Sequence, residues 1–172
     1  PQICAVIQAE SGRKIERRYA GPLLLRPNES VAFSVIFEPP MASEAFSVEF
    51  AAAKPTALNR DTLAGMVYRD FNISTSITPD KSRRQVDVHG LLENSGALPA
   101  GDIFVAIGLY DAQGNLIGVA KDKFKTGDIL APGETLTFTL PSSQLTRIPS
   151  DIKMRVFAEG QIDRNPIVGG GS

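Results

Sequence analysis

His89, Cys4 and the triplet Asp111, Gln113 and Asn115 are the residues whose chemistry would matter most if partners stood near them. His89 is the single histidine, so a hydrolytic triad or a histidine-rich metal site lacks its other members. It alternates with Val88 and reads as an outward-facing strand residue. Cys4 is the single cysteine, which excludes an intramolecular disulfide and a cysteine-rich zinc site. It sits in the run Ile3-Cys4-Ala5-Val6-Ile7 and reads as a small buried hydrophobe. Asp111, Gln113 and Asn115 have the spacing of the first three ligands of a calcium loop. The closing ligand would be Asp122, one methylene shorter than the bidentate Glu such loops use, and Leu116–Ala120 between them reads as a strand. A hairpin turn is the better reading. No glycine-rich phosphate loop, Cys-x-x-Cys or His-Glu-x-x-His is present. We expect no enzyme, no cofactor and no bound metal.

Two basic clusters stand out: Arg13, Lys14, Arg17 and Arg18, and then Lys81, Arg83 and Arg84. On a strand, Lys14, Glu16 and Arg18 share one face, while Arg13, Arg17 and Tyr19 share the other. Charges at a sheet edge block edge-to-edge aggregation, and that reading is preferred to polyanion binding. The net charge of −1 creates no long-range field that would draw in nucleic acid or an anionic membrane. Asn28-Glu29-Ser30 and Asn72-Ile73-Ser74 fit the N-glycosylation pattern.

The elements that would position these residues are strands. Val31, Phe33, Val35 and Phe37 alternate with small residues and Ile36. Phe71, Ile73, Thr75 and Ile77 alternate with Asn72, Ser74 and Ser76. Val86 and Val88, then Leu136, Phe138 and Leu140, then Ile152, Met154 and Val156 each alternate with polar neighbours. No window carries a sustained 3.6-residue stripe; short helical turns are expected only near Ser43–Ala45 and Ser142–Leu145. Ser11-Gly12-Arg13 and Asp111–Asn115 read as hairpin loops. Pro27-Asn28 and Pro132-Gly133 suit the central positions of β-turns, because proline presets φ at the first of them. Fifteen glycines and twelve prolines suit a turn-rich all-β chain, and 42% hydrophobic residues argue against wholesale disorder.

The chain also echoes itself. Leu25-Arg-Pro-Asn-Glu-Ser-Val-Ala-Phe-Ser-Val35 matches Leu130-Ala-Pro-Gly-Glu-Thr-Leu-Thr-Phe-Thr-Leu140. Ile3–Ile7 lines up with Ile103–Ile107, Gly12 with Gly114, and Phe46–Phe50 with Ile152–Val156. Four matches in one order predict one structural unit present twice. The polar stretch Lys54–Thr62 lacks alternation and places a boundary around Pro55–Gly65. The expected organisation is a partial or variant unit over 1–55, a linker over 56–65, a β-sandwich of six or seven strands over 66–162, and a flexible tail or expression remnant over 163–172. The start at Pro1 reads as a processed or excerpted chain.

Ile107-Gly108-Leu109-Tyr110-Asp111 resembles the signature of the FxLYD family, small immunoglobulin-like domains of exported and cell-surface proteins. Gly114, the turn Leu130-Ala131-Pro132-Gly133-Glu134 and the strand end Leu91–Gly96 extend the match over about residues 67–160, with a diverged partial copy at about 1–55. Ile107 stands where the family carries phenylalanine. The resemblance implies a tandem of immunoglobulin-like or fibronectin-III-like β-sandwiches, the first incomplete, in an extracytoplasmic protein.

The first copy begins directly at its Ile3 strand, two strands short of the second copy. Several hundred Å² of uncovered apolar surface would cost on the order of 10 kcal/mol. The chain is therefore expected to be an excerpt, a smaller variant packed on the second unit, or a unit completed by a partner strand. The candidate interaction edge is Ile3, Ala5, Ile7, Arg13, Arg17 and Arg18. The expected function is a protein-contact or spacer module. The rivals are a filament or surface-layer subunit completed by strand donation and a carbohydrate-binding accessory domain. A protein partner or self-association is expected, with no nucleic acid and no membrane span.

Overall fold

A computed structural model describes residues 2–9, 14–20, 30–32, 46–52, 67–124 and 129–162. The chain divides into two compact units. The first comprises Pro1–Glu29 and Val35–Gly65; the second comprises Ser30–Ser34 and Met66–Ser172. Every described element is a strand.

The second unit is a β-sandwich of two antiparallel sheets. Its strands are β4 (Val67–Tyr68), β5 (Phe71–Asp80), β6 (Gln85–Asn94), β7 (Ala100–Tyr110), β8 (Leu116–Lys123), β9 (Thr135–Pro141) and β10 (Lys153–Ile162). One sheet has the order β4-β10-β7-β8 and the other β5-β6-β9. Period-two alternation decides which side chains meet between them. Val86, Val88 and Leu92 of β6 and Phe138 and Leu140 of β9 point inward. They meet Ile103, Val105, Ile107 and Leu109 of β7. Burying one such side chain contributes about 1.5–3 kcal/mol, so this cluster is the main apolar term holding the sheets together.

The turns follow from local hydrogen bonding. β7 and β8 form a hairpin, with Leu109 opposite Gly118. Its loop is held by the Asp111 carboxylate, which accepts from the Gln113 amide (3.0 Å), the Asn115 amide (2.8 Å) and the Asn115 side chain (3.0 Å). These bonds, that of the Asn115 side chain foremost, hold the Asp111 carboxyl below its ordinary pKa. The β5–β6 turn repeats the device: Asp80 accepts from the Ser82 hydroxyl at 2.6 Å and from Arg83 Nε at 2.5 Å. At Ala131–Glu134 the Glu134 amide donates back to the Ala131 carbonyl (3.0 Å), and Gly133 takes φ +79°. That is a type II turn, in which proline then glycine fits the two central positions.

Ser142–Leu145 does not form the expected helical turn. Ser142 bridges Ala120, the Ser143 amide donates to Val119 O (2.8 Å), and the Leu145 amide donates to Arg84 O (2.8 Å). Long-range bonding to both sheets outcompetes the local turn. The extended course also delivers the Leu145 side chain, 2% exposed, to the core.

The first unit contains β1 (Gln2–Ala9), β2 (Lys14–Ala20) and β3 (Phe46–Ala52) in one antiparallel sheet of order β2-β1-β3. This is the order of β8-β7-β10. Ile7 pairs with both Ile15 and Val48, as Ile107 pairs with both Ala120 and Val156. The expected turn at Pro27-Asn28, the helical turn at Ser43–Ala45, and Phe33–Phe37 of the expected alternating strand lie outside the described residues. Ser30–Ala32, at that strand's start, is irregular. It groups with the second unit, where Ala32 lies over Gly108 of β7.

Candidate functional site

The expected interaction edge comprises Ile3, Ala5 and Ile7 of β1 together with Arg13, Arg17 and Arg18. Ile3, Ala5 and Ile7 each have a partner on both sides: Tyr19 and Ala52, Arg17 and Phe50, Ile15 and Val48. β1 is the central strand of its sheet, so its backbone bonds are taken. Arg17 and Arg18 lie on β2, an outer strand of the described sheet. Arg13 lies outside the described residues.

An accessible edge occurs instead in the second unit. β10 pairs with β7 from Lys153–Tyr110 to Ile162–Ala100. On its other side it meets β4 only at Gly160–Tyr68 and Gln161–Val67. β4 stops there because the chain crosses to the opposite sheet, and that crossing is pinned on both flanks. The Tyr68 hydroxyl donates to Asn94 Oδ1 at 2.6 Å, both groups being buried. Arg69 pairs with Glu159 at 2.9 Å while its guanidinium lies 4.8 Å from the centre of the Phe157 ring. Among the described residues, no strand lies against Lys153–Ala158 on that side.

The exposure of β10 agrees with a flank that is open among the described residues. Val156 is 39% exposed although it pairs with Ile107, which is fully buried. Met154 and Ala158 are half-buried, and Lys153 and Arg155 are exposed. The strand thus offers an apolar row toward the sandwich interior and a basic row toward its outer face. The N-terminal end of this flank opens into a cavity of about 360 Å³ lined by Tyr110, Lys153, Met154, Arg155 and the Ala112–Gly114 loop. The Arg155 guanidinium lies 4.9 Å from the centre of the Tyr110 ring. The neighbouring carboxylate, Asp111, is turned into its own loop by the three bonds described above.

Other sequence candidates have structural surroundings. His89 Nδ1 lies 3.1 Å from Thr139 Oγ1, and its Nε2 lies 3.1 Å from Thr78 Oγ1, which spans three strands on one sheet face. The Arg83 guanidinium contacts Asp80 and Asp87, Asp87 at 3.3 Å. Asp111, Gln113 and Asn115 are brought together as the hairpin loop. Asn72 is exposed at the start of β5 and approaches Glu93 at 3.4 Å. Among the described residues, no three His, Cys, Asp or Glu side chains converge where they could hold a metal. No helix there is long and apolar enough to cross a membrane.

The β10 edge escaped the sequence reading, yet one signal for it existed. Lys153 and Arg155 alternate with Met154 and Val156, and lysine or arginine repeated along a strand is a common guard of an unpaired edge. Comparison of the sequence with protein-family models finds no match, and comparison with curated proteins finds none either.

Proposed function

We propose that this chain is a non-catalytic protein-contact module, a tandem of FxLYD-like β-sandwich units in a larger exported or cell-surface assembly. Its β10 edge accepts an extended segment of another protein. The observation that carries this reading is Val156. It is a core-directed aliphatic residue left 39% exposed on a strand whose outer side meets β4 at two positions only. Strand addition would cover Val156 and satisfy the edge backbone in one step. The exported setting rests on the motif resemblance at Leu109–Asp111 and Leu130–Glu134.

A carbohydrate-binding role has weaker support. The large exposed hydrophobics of the described residues are Leu91, Leu98, Leu116, Ile129 and Val156, all aliphatic. Sugar platforms use exposed aromatic rings. A filament subunit would use the same edge with a neighbouring copy as the donor.

The test is selection of heptapeptides from a displayed library against the full chain, with hydrogen exchange locating each binder. Binders should slow exchange at Lys153–Ala158, and Val156→Pro should abolish their binding without unfolding the sandwich. Binders that protect other segments, or a selection that yields none, would refute the reading.

A further inference from the structure

Resting on that edge reading, we propose that the cavity between Tyr110, Lys153 and Arg155 is a carboxylate anchor. The segment laid along β10 is then acidic on its outward row and aliphatic on its inward row.

Period-two geometry divides the edge into two rows. A strand added beside β10 places alternate side chains opposite Met154, Val156 and Ala158, and the others opposite Lys153, Arg155 and Phe157. The inward row must cover Val156, so it is aliphatic. The outward row faces two exposed cations. Phe157 already carries the Arg69 guanidinium on its ring, which leaves Lys153 and Arg155 as the charges an incoming strand meets. An opposite charge directly across a strand pair is favourable and a like charge is not.

The cavity adds a place for the carboxylate. Its volume of about 360 Å³ falls at the small end of ligand sites, enough for one side chain or a chain terminus. Arg155 is supported from below by the Tyr110 ring at 4.9 Å, which limits the freedom its fork would lose on binding. Asp111 lies next to this wall, but its oxygens accept from the Gln113 and Asn115 amides and from the Asn115 side chain. It is thereby occupied as an internal competitor for the two cations.

A second copy of the chain fits this edge less well. Two β10 edges paired about Val156 would set Lys153 opposite Glu159, which is 2% exposed and already bound to Arg69. The two Arg155 side chains would then lie diagonally close, with like charge.

The experiment measures fluorescence anisotropy of three labelled heptapeptides with the full chain. The first is an amidated Glu-Val-Glu-Val-Glu-Val-Thr peptide, the second its Gln-for-Glu counterpart, and the third that counterpart with a free C-terminal carboxylate. The amidated Glu peptide should bind at least tenfold more tightly than the amidated Gln peptide, as expected for one charge-assisted bond. Arg155→Gln should lower that ratio at least threefold, and Lys153→Gln added to it should bring the ratio close to one, because each removes one of the two cations that meet the acidic row. Preferential binding of the free-acid Gln peptide would assign the anchor to a chain terminus. Equal binding of all three, abolished by Val156→Pro, overturns the carboxylate anchor and leaves the edge reading standing. No binding by any peptide counts against both. A dimer in light scattering that Val156→Pro dissolves makes a second copy the occupant and overturns the acidic strand.

Discussion

The hydroxyl of Tyr68 donates to Oδ1 of Asn94 across 2.6 Å, tying the edge of one sheet to the strand end of the other. Asn94 has no exposed surface, and its side chain uses all its capacity. Oδ1 also accepts from the Gly96 amide at 3.1 Å, and Nδ2 donates to Leu98 O and Leu130 O, each at 2.8 Å. Its backbone receives the Gly133 amide at 2.8 Å and donates to Glu134 O at 3.0 Å. Thus the strand end Asn94–Gly96 and the turn Leu130–Glu134, two pieces of the motif read from the sequence, dock on each other. Replacing Asn94 with Leu would leave the buried Tyr68 hydroxyl and the Gly96 amide without their acceptor and take one donor from the Leu98 and Leu130 carbonyls, the latter keeping the Ala100 amide; each group left unpaired costs about 1–3 kcal/mol. Thermal unfolding followed by circular dichroism should show a midpoint at least ~10 °C lower for Asn94→Leu. Tyr68→Phe, which removes one donor, should shift it less. A shift of 2 °C or less for Asn94→Leu would refute the hub.

A second relationship concerns Gly90 of β6 and the Phe138 ring of β9, which sit opposite each other in register. A Cβ at Gly90 would overlap the ring edge. The ring cannot swing out freely, because it is 7% exposed and packs at 5.9 Å against Phe124. Gly90→Ala should therefore destabilise by roughly 1–3 kcal/mol through overpacking. In a Phe138→Leu background the added methyl should cost less, so that the double mutant loses less stability than the sum of the two single mutants in a double-mutant cycle by urea denaturation. Additive effects would mean that the ring does not set the need for glycine.

Much of the sandwich was legible in the sequence because alternation is a local signal with a local cause. Leu136, Phe138 and Leu140 turn inward as the pattern requires, and the Asp111 and Pro132-Gly133 turns form where short-range chemistry places them. What alternation cannot convey is who lies alongside. Val156 has the same pattern as Leu140, yet it is exposed because the chain beside it crosses to the other sheet after Tyr68. β1 looked like an edge because the strands flanking it come from later segments, including Phe46–Ala52, distant in sequence. Asn94 reads as a strand terminator. Its burial depends on Leu130, 36 positions away, which no window around Asn94 contains.

The two carboxylate-held turns predict a response to acid. Ser82's hydroxyl and then Arg83 hold the Asp80 carboxyl well below the usual carboxylate range. The Asn115 side chain, foremost among its donors, lowers the pKa of the Asp111 carboxyl. A carboxyl with a depressed folded pKa stabilises the fold fully above its unfolded value near 3.9. That contribution is lost as pH falls through the folded value. The urea midpoint should therefore decline below about pH 4, and more gently in Asp80→Asn and Asp111→Asn than in the parent chain. Added salt should weaken the Asp80 effect, because Arg83 is 55% exposed. Parallel midpoint-against-pH curves for parent and variants would count against this assignment.

Arg69 and Glu159 offer the sharpest test of how the crossing between the sheets is secured. Their side chains are 12% and 2% exposed, and the guanidinium also lies against the Phe157 ring. A buried pair need not be more stable than an apolar pair of similar shape, but removing one member strands the other's charge away from water. Arg69→Met should therefore destabilise by roughly 3 kcal/mol. Arg69→Met combined with Glu159→Gln should recover part of that loss, since the buried charge that lost its cation is gone. The site predicts a second consequence that a purely structural pair would not have. Arg69 fixes the point where β4 leaves β10, so loosening it should speed amide exchange first at Tyr68, Gly160 and Gln161, the residues of the short β4–β10 pairing. Exchange that rises uniformly across both sheets would show a general loss of stability, and would detach the Arg69–Glu159 pair from the shaping of the β10 edge.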